Sequence, residues 1–289
     1  MKEPLISIIA VHFGPPAPTL QWWGQLQALT YPHWEAILID QGTGDEVQKK
    51  LGQLEQLTYL PRENEGYAAG LNAGLRLAKG DFFLLMNTDL LFPANSLELL
   101  LQVFMTKPKV GLVSPLLLQA GSPARIQYAG STALGPLSGR NQHPEKGKHW
   151  DGQVRPLLPT AYPHGAMMMS SREGLEIAGL LPTTYFLYYE ELAWAEQFSR
   201  HHRQHWCQGA LVVEHLGGLN LEEASAQQWH YYVRNRRLLM KDRGQALSYA
   251  GFCLYFYLVS LPILLLRSII KGRLGKIRAI WKGAWVRLP

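Results

Sequence analysis

Asn87-Thr88-Asp89 follows five apolar residues in a row, Phe82 to Met86. That run is too short for an ordinary helix and is preceded by the turn signal Gly80-Asp81, so it reads as a buried parallel strand. Ligands of open parallel sheets bind at the carboxyl ends of the strands, where a carboxylate faces a crevice. Residues two apart on an extended segment point the same way, which offers two oxygen donors to one hard cation. The plainer reading of the same residues is an Asx-type turn after a strand. A second strand, Glu35 to Ile39, also ends on a carboxylate, Asp40. Two acids on one sheet edge read as a site. Glu190-Glu191 at a helix start and His215 after the apolar strand Leu211 to Val213 each have a plain reading, as dipole-favoured acids and as a turn histidine.

The elements that must position these groups alternate. Strands are expected over Leu5 to Val11, Glu35 to Ile39, Leu57 to Leu60, Phe82 to Met86 and Val110 to Pro115. Helices are expected over Thr19 to Leu29, Val47 to Leu54, the Gly66-Gly70-Gly74 stretch to Ala78, and Pro93 to Met105, with prolines 15, 16 and 18 breaking the chain. Short apolar strands alternating with helices predict an α/β, doubly wound parallel sheet. The glycines do not spell G-x-G-x-x-G and do not follow the first strand, which argues against a dinucleotide-binding fold. Their spacing suits a closely packed helix or a backbone that a phosphate can approach. Leu116 to Pro159 reads as irregular connection, Ala161 to Ser170 as extended, Arg172 to Ala178 as a helix, and Glu190 to about His202 as another. His201, His202 and His205 read as solvated surface at a polar helix end.

At 289 residues the chain is one large α/β domain or a domain with a helical appendage. Cys207 and Cys253 form no metal or redox motif and favour a reducing compartment. No small-residue cleavage site follows the first apolar run, so a buried strand is expected there rather than a signal peptide. Seven basic residues and no acidic one lie between positions 267 and 289, so the rest carries about −1 against +6 for the whole chain. The basicity belongs to the tail, which argues against nucleic acid as a partner and for an anionic surface.

Five motifs in order make the chain resemble the family 2 glycosyltransferases of GT-A fold, especially their rhamnosyltransferase-like members, over about residues 5 to 240. Ser7 to Gly14, including His12 and Phe13, is similar to the opening strand that ends on the nucleotide. Ile39-Asp40-Gln41-Gly42-Thr43 is similar to the element whose aspartate contacts the base. Asn64-Glu65-Gly66-Tyr67-Ala68-Ala69-Gly70-Leu71-Asn72 matches N-x-G-(F/Y)-A-x-G-x-N. Met86 to Asp89 corresponds to the metal element, and Tyr188 to Glu191 with Glu214 to Gly218 to the base motif and the later histidine-glycine turn. The resemblance implies nucleotide-sugar contacts from His12, Phe13, Asp40, Arg62, Asn64, Gly66, Asn72 and Asn87. It implies a Mg2+ or Mn2+ ion on Asp89 and His215, and a base at Glu191 or Glu190 for a single inverting displacement. The donor implied is dTDP-rhamnose or a UDP-sugar, and the acceptor a lipid-linked glycan or polysaccharide. Glu191 stands where the family usually has aspartate, and Ala193 where a second acid is common. Those departures leave a catalytically impaired nucleotide-sugar-binding or scaffold protein as the alternative.

The expected organisation is a catalytic domain over 1–243, with a nucleotide half to 115 and an acceptor half from 116, and an apolar and basic helical tail over 244–289. Trp229 to Arg243 reads as an amphipathic helix packed on the body. Phe252 to Leu266 is a run of 15 uncharged, mostly apolar residues interrupted by Pro262, against roughly 20 for a clean span. With the basic, tryptophan-bearing segment after it, monotopic attachment at the cytoplasmic face of the cell membrane is favoured over a span. Burial in a dimer interface is the soluble alternative.

Overall fold

The computed structural model describes residues 3–42, 44–217, 224–244 and 246–289; Thr43 and Gly218 of the motifs above lie outside the described residues. The first apolar run becomes β1 (Ile6–His12), buried along its whole length. It pairs in parallel with β2 (Trp34–Asp40) on one side and β4 (Phe82–Asn87) on the other, and β3 (Leu57–Pro61) extends the parallel run beyond β2. The remaining strands are β5 (Leu90–Leu91), β6 (Val110–Gln119), β7 (Arg125–Tyr128), β8 (Leu157–Thr160), β9 (Met167–Ser171) and β10 (Gln204–His215). Among the described residues they form one sheet, in the order β3-β2-β1-β4-β9-β6-β10-β5, with β7 on β6 and β8 on β10. The sheet is parallel from β3 to β4 and again between β6 and β10, but β9 enters antiparallel between these halves. The sheet is thus mostly parallel, as expected, with β9 as an antiparallel insertion.

Three local expectations change. The helix α1 (Pro16–Leu26) starts at the prolines expected to break the chain, because a proline in the first turn gives up an N–H that has no helical partner anyway. The stretch 116–159 is not wholly irregular: it completes β6 and supplies β7 and β8. β6 is buried on both faces, which hides any alternation. β10 runs back to Gln204, so His205 is interior and not surface. Its Nδ1 accepts from the Leu112 N–H at 3.1 Å, and burial pulls its pKa down to about 4.

Helices cover both faces. α1, α2 (Glu46–Leu51) and α4 (Ser96–Thr106) pack a core around Trp22, Leu38, Leu84 and Leu100. α3 (Tyr67–Leu77) and α6 (Glu190–Arg200) pack the other face around Ile9, Leu71, Phe83 and Trp194. The glycines of α3 serve close packing: a Cβ on Gly74 would lie 2.4 Å from Ile9 Cγ2, and one on Gly70 2.9 Å from Val11 Cγ2. α3 also holds the chain ahead of α6. Asn72, buried, donates through Nδ2 to the Leu181 carbonyl at 2.8 Å and accepts from the Leu181 N–H at 3.0 Å. Where the motif likeness implies a nucleotide contact, the structure shows Asn72 bonded through both amide atoms to one backbone residue. The variant Asn72→Ala leaves two buried backbone groups unpartnered. We expect a loss of about 1–3 kcal/mol per group, read as a lower urea midpoint at unchanged slope.

Candidate active site

Backbone register sets the site. β1 and β2 pair His12 with Asp40, and β1 and β4 pair Val11 with Asn87, so three parallel strands end at one level. At that edge His12 Nδ1 donates to Thr19 Oγ1 at 2.7 Å, and Thr19 in turn donates to Thr88 Oγ1 at 3.1 Å. Burial lowers the His12 pKa, with the charge of Asp40 working against that shift. A Cβ on Gly42 would sit 2.9 Å from His12 Nε2, so a glycine lets the chain cross the imidazole. Asp40 Oδ1 accepts from the Gly42 N–H at 2.8 Å and Oδ2 from the Tyr59 hydroxyl, which combines the Asx turn with a fixed carboxylate. Phe13 stands 65% exposed just beyond β1.

The motif around Gly66 builds a turn. Asn64 Oδ1 accepts from the Gly66 N–H at 3.0 Å, and Gly66 has φ of 103°, a left-handed value that favours glycine. A Cβ there would strike the Phe186 carbonyl at 2.6 Å. These two residues therefore dock α3 against the segment leading to α6, and Tyr67 N–H donates to that same carbonyl at 3.0 Å. Arg62 forms an exposed ion pair with Glu65 at 2.7 Å.

Asp89 and His215 come together from β4 and β10, separated by 3.4 Å between Oδ1 and Nε2. Leu216 N–H donates to the Asp89 carbonyl at 2.9 Å, which ties the two elements side by side. Asp89 Oδ1 is buried and has no hydrogen-bond partner. Asn87 does not offer its oxygen beside Asp89, as the two-residue spacing suggested. Its Oδ1 accepts from the Tyr67 hydroxyl at 2.7 Å. Among the described residues no third His, Cys, Asp or Glu joins the pair.

Tyr67 links this pair to the acids of α6. Its phenol is buried and pushed well above the ordinary value, first by desolvation and then by the charges of Glu190, Asp89 and Glu191. The charges of three carboxylates singled out in the sequence are thus felt at one hydroxyl, and Asp40 lies two strands away on the same edge. Glu190 is buried with an unpartnered Oε2, and burial, then the charge of Glu191, pushes its pKa well above the ordinary carboxylate value. Glu191 is only partly covered, packed on the Gly165 backbone, and burial pushes its pKa up to about 7 while N–H groups of the helix start pull the other way.

The turn before α6 is the feature least visible in the sequence. Tyr188 and Tyr189 are both left-handed, with φ of 67° and 73°, a conformation that costs about 1–3 kcal/mol per non-glycine residue. Asn235, fully buried on α7 (Ala226–Asp242), donates to the Leu187 and Tyr188 carbonyls at 2.8 and 2.9 Å. α7 begins in a capping box made by Ser225 and Gln228. Tyr67 was legible only as a letter of its motif. Asn235 left no signal, because a polar residue in a mixed helix reads as surface.

The sequence profile of Glycosyl transferase family 2 matches residues 8–176, more than half of the chain. The chain belongs to this family of glycosyltransferases. An uncharacterized glycosyltransferase of Rickettsia prowazekii (strain Madrid E) is 29% identical over 97 residues, 33% of this chain and 30% of that protein. The match thus spans less than a third of that relative's length. The mannosyltransferase PcManGT of Pyrobaculum calidifontis, in complex with GDP-Man and Mn2+, superposes with a TM-score of 0.59 at 16% identity, over 98% of this chain and 80% of that one. GalNAc-T7 with UDP, GalNAc and Mn2+ gives 0.62 at 14% identity, over 80% of this chain and 47% of that one. TarS of S. aureus gives 0.56 at 12%, over 96% and 79%. At such identities the likeness is one of fold, which is the α/β, GT-A-like glycosyltransferase fold.

In this family 2 glycosyltransferase, the Asp89 Oδ1 is a buried acceptor beside an imidazole nitrogen, and together the two side chains offer an oxygen and a nitrogen donor of the kind that suits a divalent cation. The raised pKa of Glu191 has its own consequence. A carboxyl that stays protonated longer in the folded state than in the unfolded one lowers stability as pH rises from its ordinary value through about 7. We therefore expect Glu191→Gln to raise the melting temperature at pH 8 and to change it little at pH 4, measured by differential scanning fluorimetry.

Proposed function

We propose that the chain transfers a sugar from a nucleoside-diphosphate sugar to an acceptor hydroxyl, with inversion. The observation that carries this reading is the buried, unpartnered Asp89 Oδ1 at 3.4 Å from His215 Nε2. Asp89 and His215 would hold the Mg2+ or Mn2+ ion, which supplies Lewis-acid neutralisation of the departing diphosphate. His12, Phe13 and Asp40 line the nucleotide end of the crevice, and Asn64 and Gly66 shape the turn beside it. Glu191 takes the acceptor proton. A pKa of about 7 suits that task, since the group is ionised at neutral pH yet basic enough to accept. A rhamnosyltransferase-like donor choice, dTDP-rhamnose or a UDP-sugar, and a lipid-linked or polysaccharide acceptor rest on the motif likeness. In turnover assays with Mn2+ and these donors, Glu191→Gln is expected to lower kcat by about 10²–10⁴. Wild-type kcat should fall about tenfold per pH unit below 7 and level off above it. Nucleotide binding by the wild type without any turnover would instead favour the impaired scaffold.

We also propose that residues 244–289 form a tail that lies on an anionic, cytoplasmic membrane face. Ala246–Ile270 is a continuous helix of 25 residues with mean hydropathy 2.0, long and apolar enough to cross a membrane by length and composition, with 22% of its most apolar window buried. It comprises α8 (Ala246–Tyr255), a π turn at Phe256–Ser260 and α9 (Leu261–Ile270). Leu254, Leu258, Ile263, Leu266 and Ile270 are exposed along it. Lying flat is favoured because both parts of the hairpin are tied to the body. Arg236 of α7 donates to Ser260 Oγ at 2.9 Å, in the middle of the long helix. The returning α10 (Leu274–Trp285) packs Ala279, Ile280, Gly283 and Ala284 inward. Trp281 and Trp285 remain half exposed beside the cations. The full chain should co-sediment with phosphatidylglycerol vesicles. Replacing Arg267, Arg273 and Arg278 by Gln removes about 1 kcal/mol each, so binding should weaken on the order of 100-fold and become less sensitive to salt. Equal binding to neutral and anionic vesicles would refute it.

A further inference from the structure

Two side chains that lie behind the proposed cation pair decide which nitrogen of His215 faces Asp89. His215 Nδ1 is 3.1 Å from Gln127 Oε1 on β7. An amide oxygen only accepts, so Nδ1 carries the proton and Nε2 keeps its lone pair. The other side of the ring agrees. Tyr67 donates to Asn87 Oδ1 at 2.7 Å, which turns the Asn87 amide nitrogen toward His215 Nε2, 3.5 Å away. Two donors cannot face one another, so Nε2 is an acceptor from this direction as well.

We propose that Gln127 and Tyr67 are positioning residues that hold His215 as the Nδ1–H tautomer, with the Nε2 lone pair directed at the space beside Asp89. A ligating histidine presents one nitrogen and donates through the other, and loss of such a partner costs about 10–100-fold in metal affinity. The proposal rests on the reading of Asp89 and His215 as a cation pair, but its first readout does not. Long-range 15N NMR of the metal-free full chain should show His215 protonated at Nδ1 in wild type and in Gln127→Glu, which keeps an acceptor. Gln127→Leu should shift it toward the Nε2–H form. In a second readout, electron paramagnetic resonance titration of Mn2+ with UDP should give affinity about 10–100-fold weaker for Gln127→Leu. Gln127→Glu should stay near wild type, and Tyr67→Phe should fall between them. A wild-type Nε2–H tautomer, or unchanged Mn2+ affinity in a folded Gln127→Leu, overturns the proposal. Failure of wild type to bind Mn2+ with UDP, together with the expected Nδ1–H spectrum, overturns the cation reading and leaves the tautomer assignment standing.

Discussion

Everything at the site depends on the parallel register of β2, β1 and β4. Because Asp40, His12 and Asn87 end their strands at one level, polar groups that could not survive inside the sheet are gathered where the backbone hydrogen bonds run out. Apolar residues below that level, such as Ile9, Leu38 and Leu85, are fully buried. They leave the strands no freedom to slip, because a one-residue shift would turn each set to the wrong face. The edge is thus fixed by core packing rather than by contacts among the site residues themselves. β10 then brings His215 to Asp89 from the far side of the antiparallel β9, a meeting that no local pattern specifies.

The acids of α6 are held by a different means. A helix start favours carboxylates, yet this one is buried, so desolvation outweighs the helix and raises both glutamates. Two consecutive left-handed tyrosines lead into the helix start, and Asn235 supplies hydrogen bonds to the Leu187 and Tyr188 carbonyls. The arrangement is costly in the folded state in two ways, backbone strain and buried charge. Sites that perform chemistry commonly concentrate both.

Much of this was legible because strand ends and turn residues leave local marks. Asp40 and Asp89 follow apolar runs, and the Gly66 to Asn72 motif carries its own spacing. What the sequence concealed is long-range or two-sided. β6 is buried on both faces and β7 and β8 are four-residue strands, so neither alternation nor length marks them. Asn72 looked like a ligand contact because an asparagine in a glycine-rich stretch is ambiguous; only the partner, Leu181, more than a hundred positions away, decides it. His205 looked solvated because its neighbours at 201 and 202 are, while the strand that buries it begins one residue earlier.

The same long-range logic joins the tail to the acids. Four consecutive residues of α7 divide their bonds between two clients. Arg234 donates to the Thr184 carbonyl and Asn235 to Leu187 and Tyr188, while Arg236 reaches Ser138 and Ser260 and Arg237 reaches Gly283 and Val286. Arg236 is 1% exposed, its cation lying over the rings of Phe252 and Phe256 at 5.6 and 5.5 Å, and no carboxylate among the described residues pairs with it. Such a cation is tolerable only where carbonyls and aromatic faces replace water from every side. The cluster of Val233, Met240, Phe252, Phe256, Leu261, Ile280 and Ala284 crosses the boundary expected near residue 244. Withdrawing the tail would therefore strip Arg236 of Ser260 and of both rings, one residue from the amide that holds the Tyr188 turn. The tail and the acids of α6 are in this sense one mechanical unit, with α7 as the bar between them.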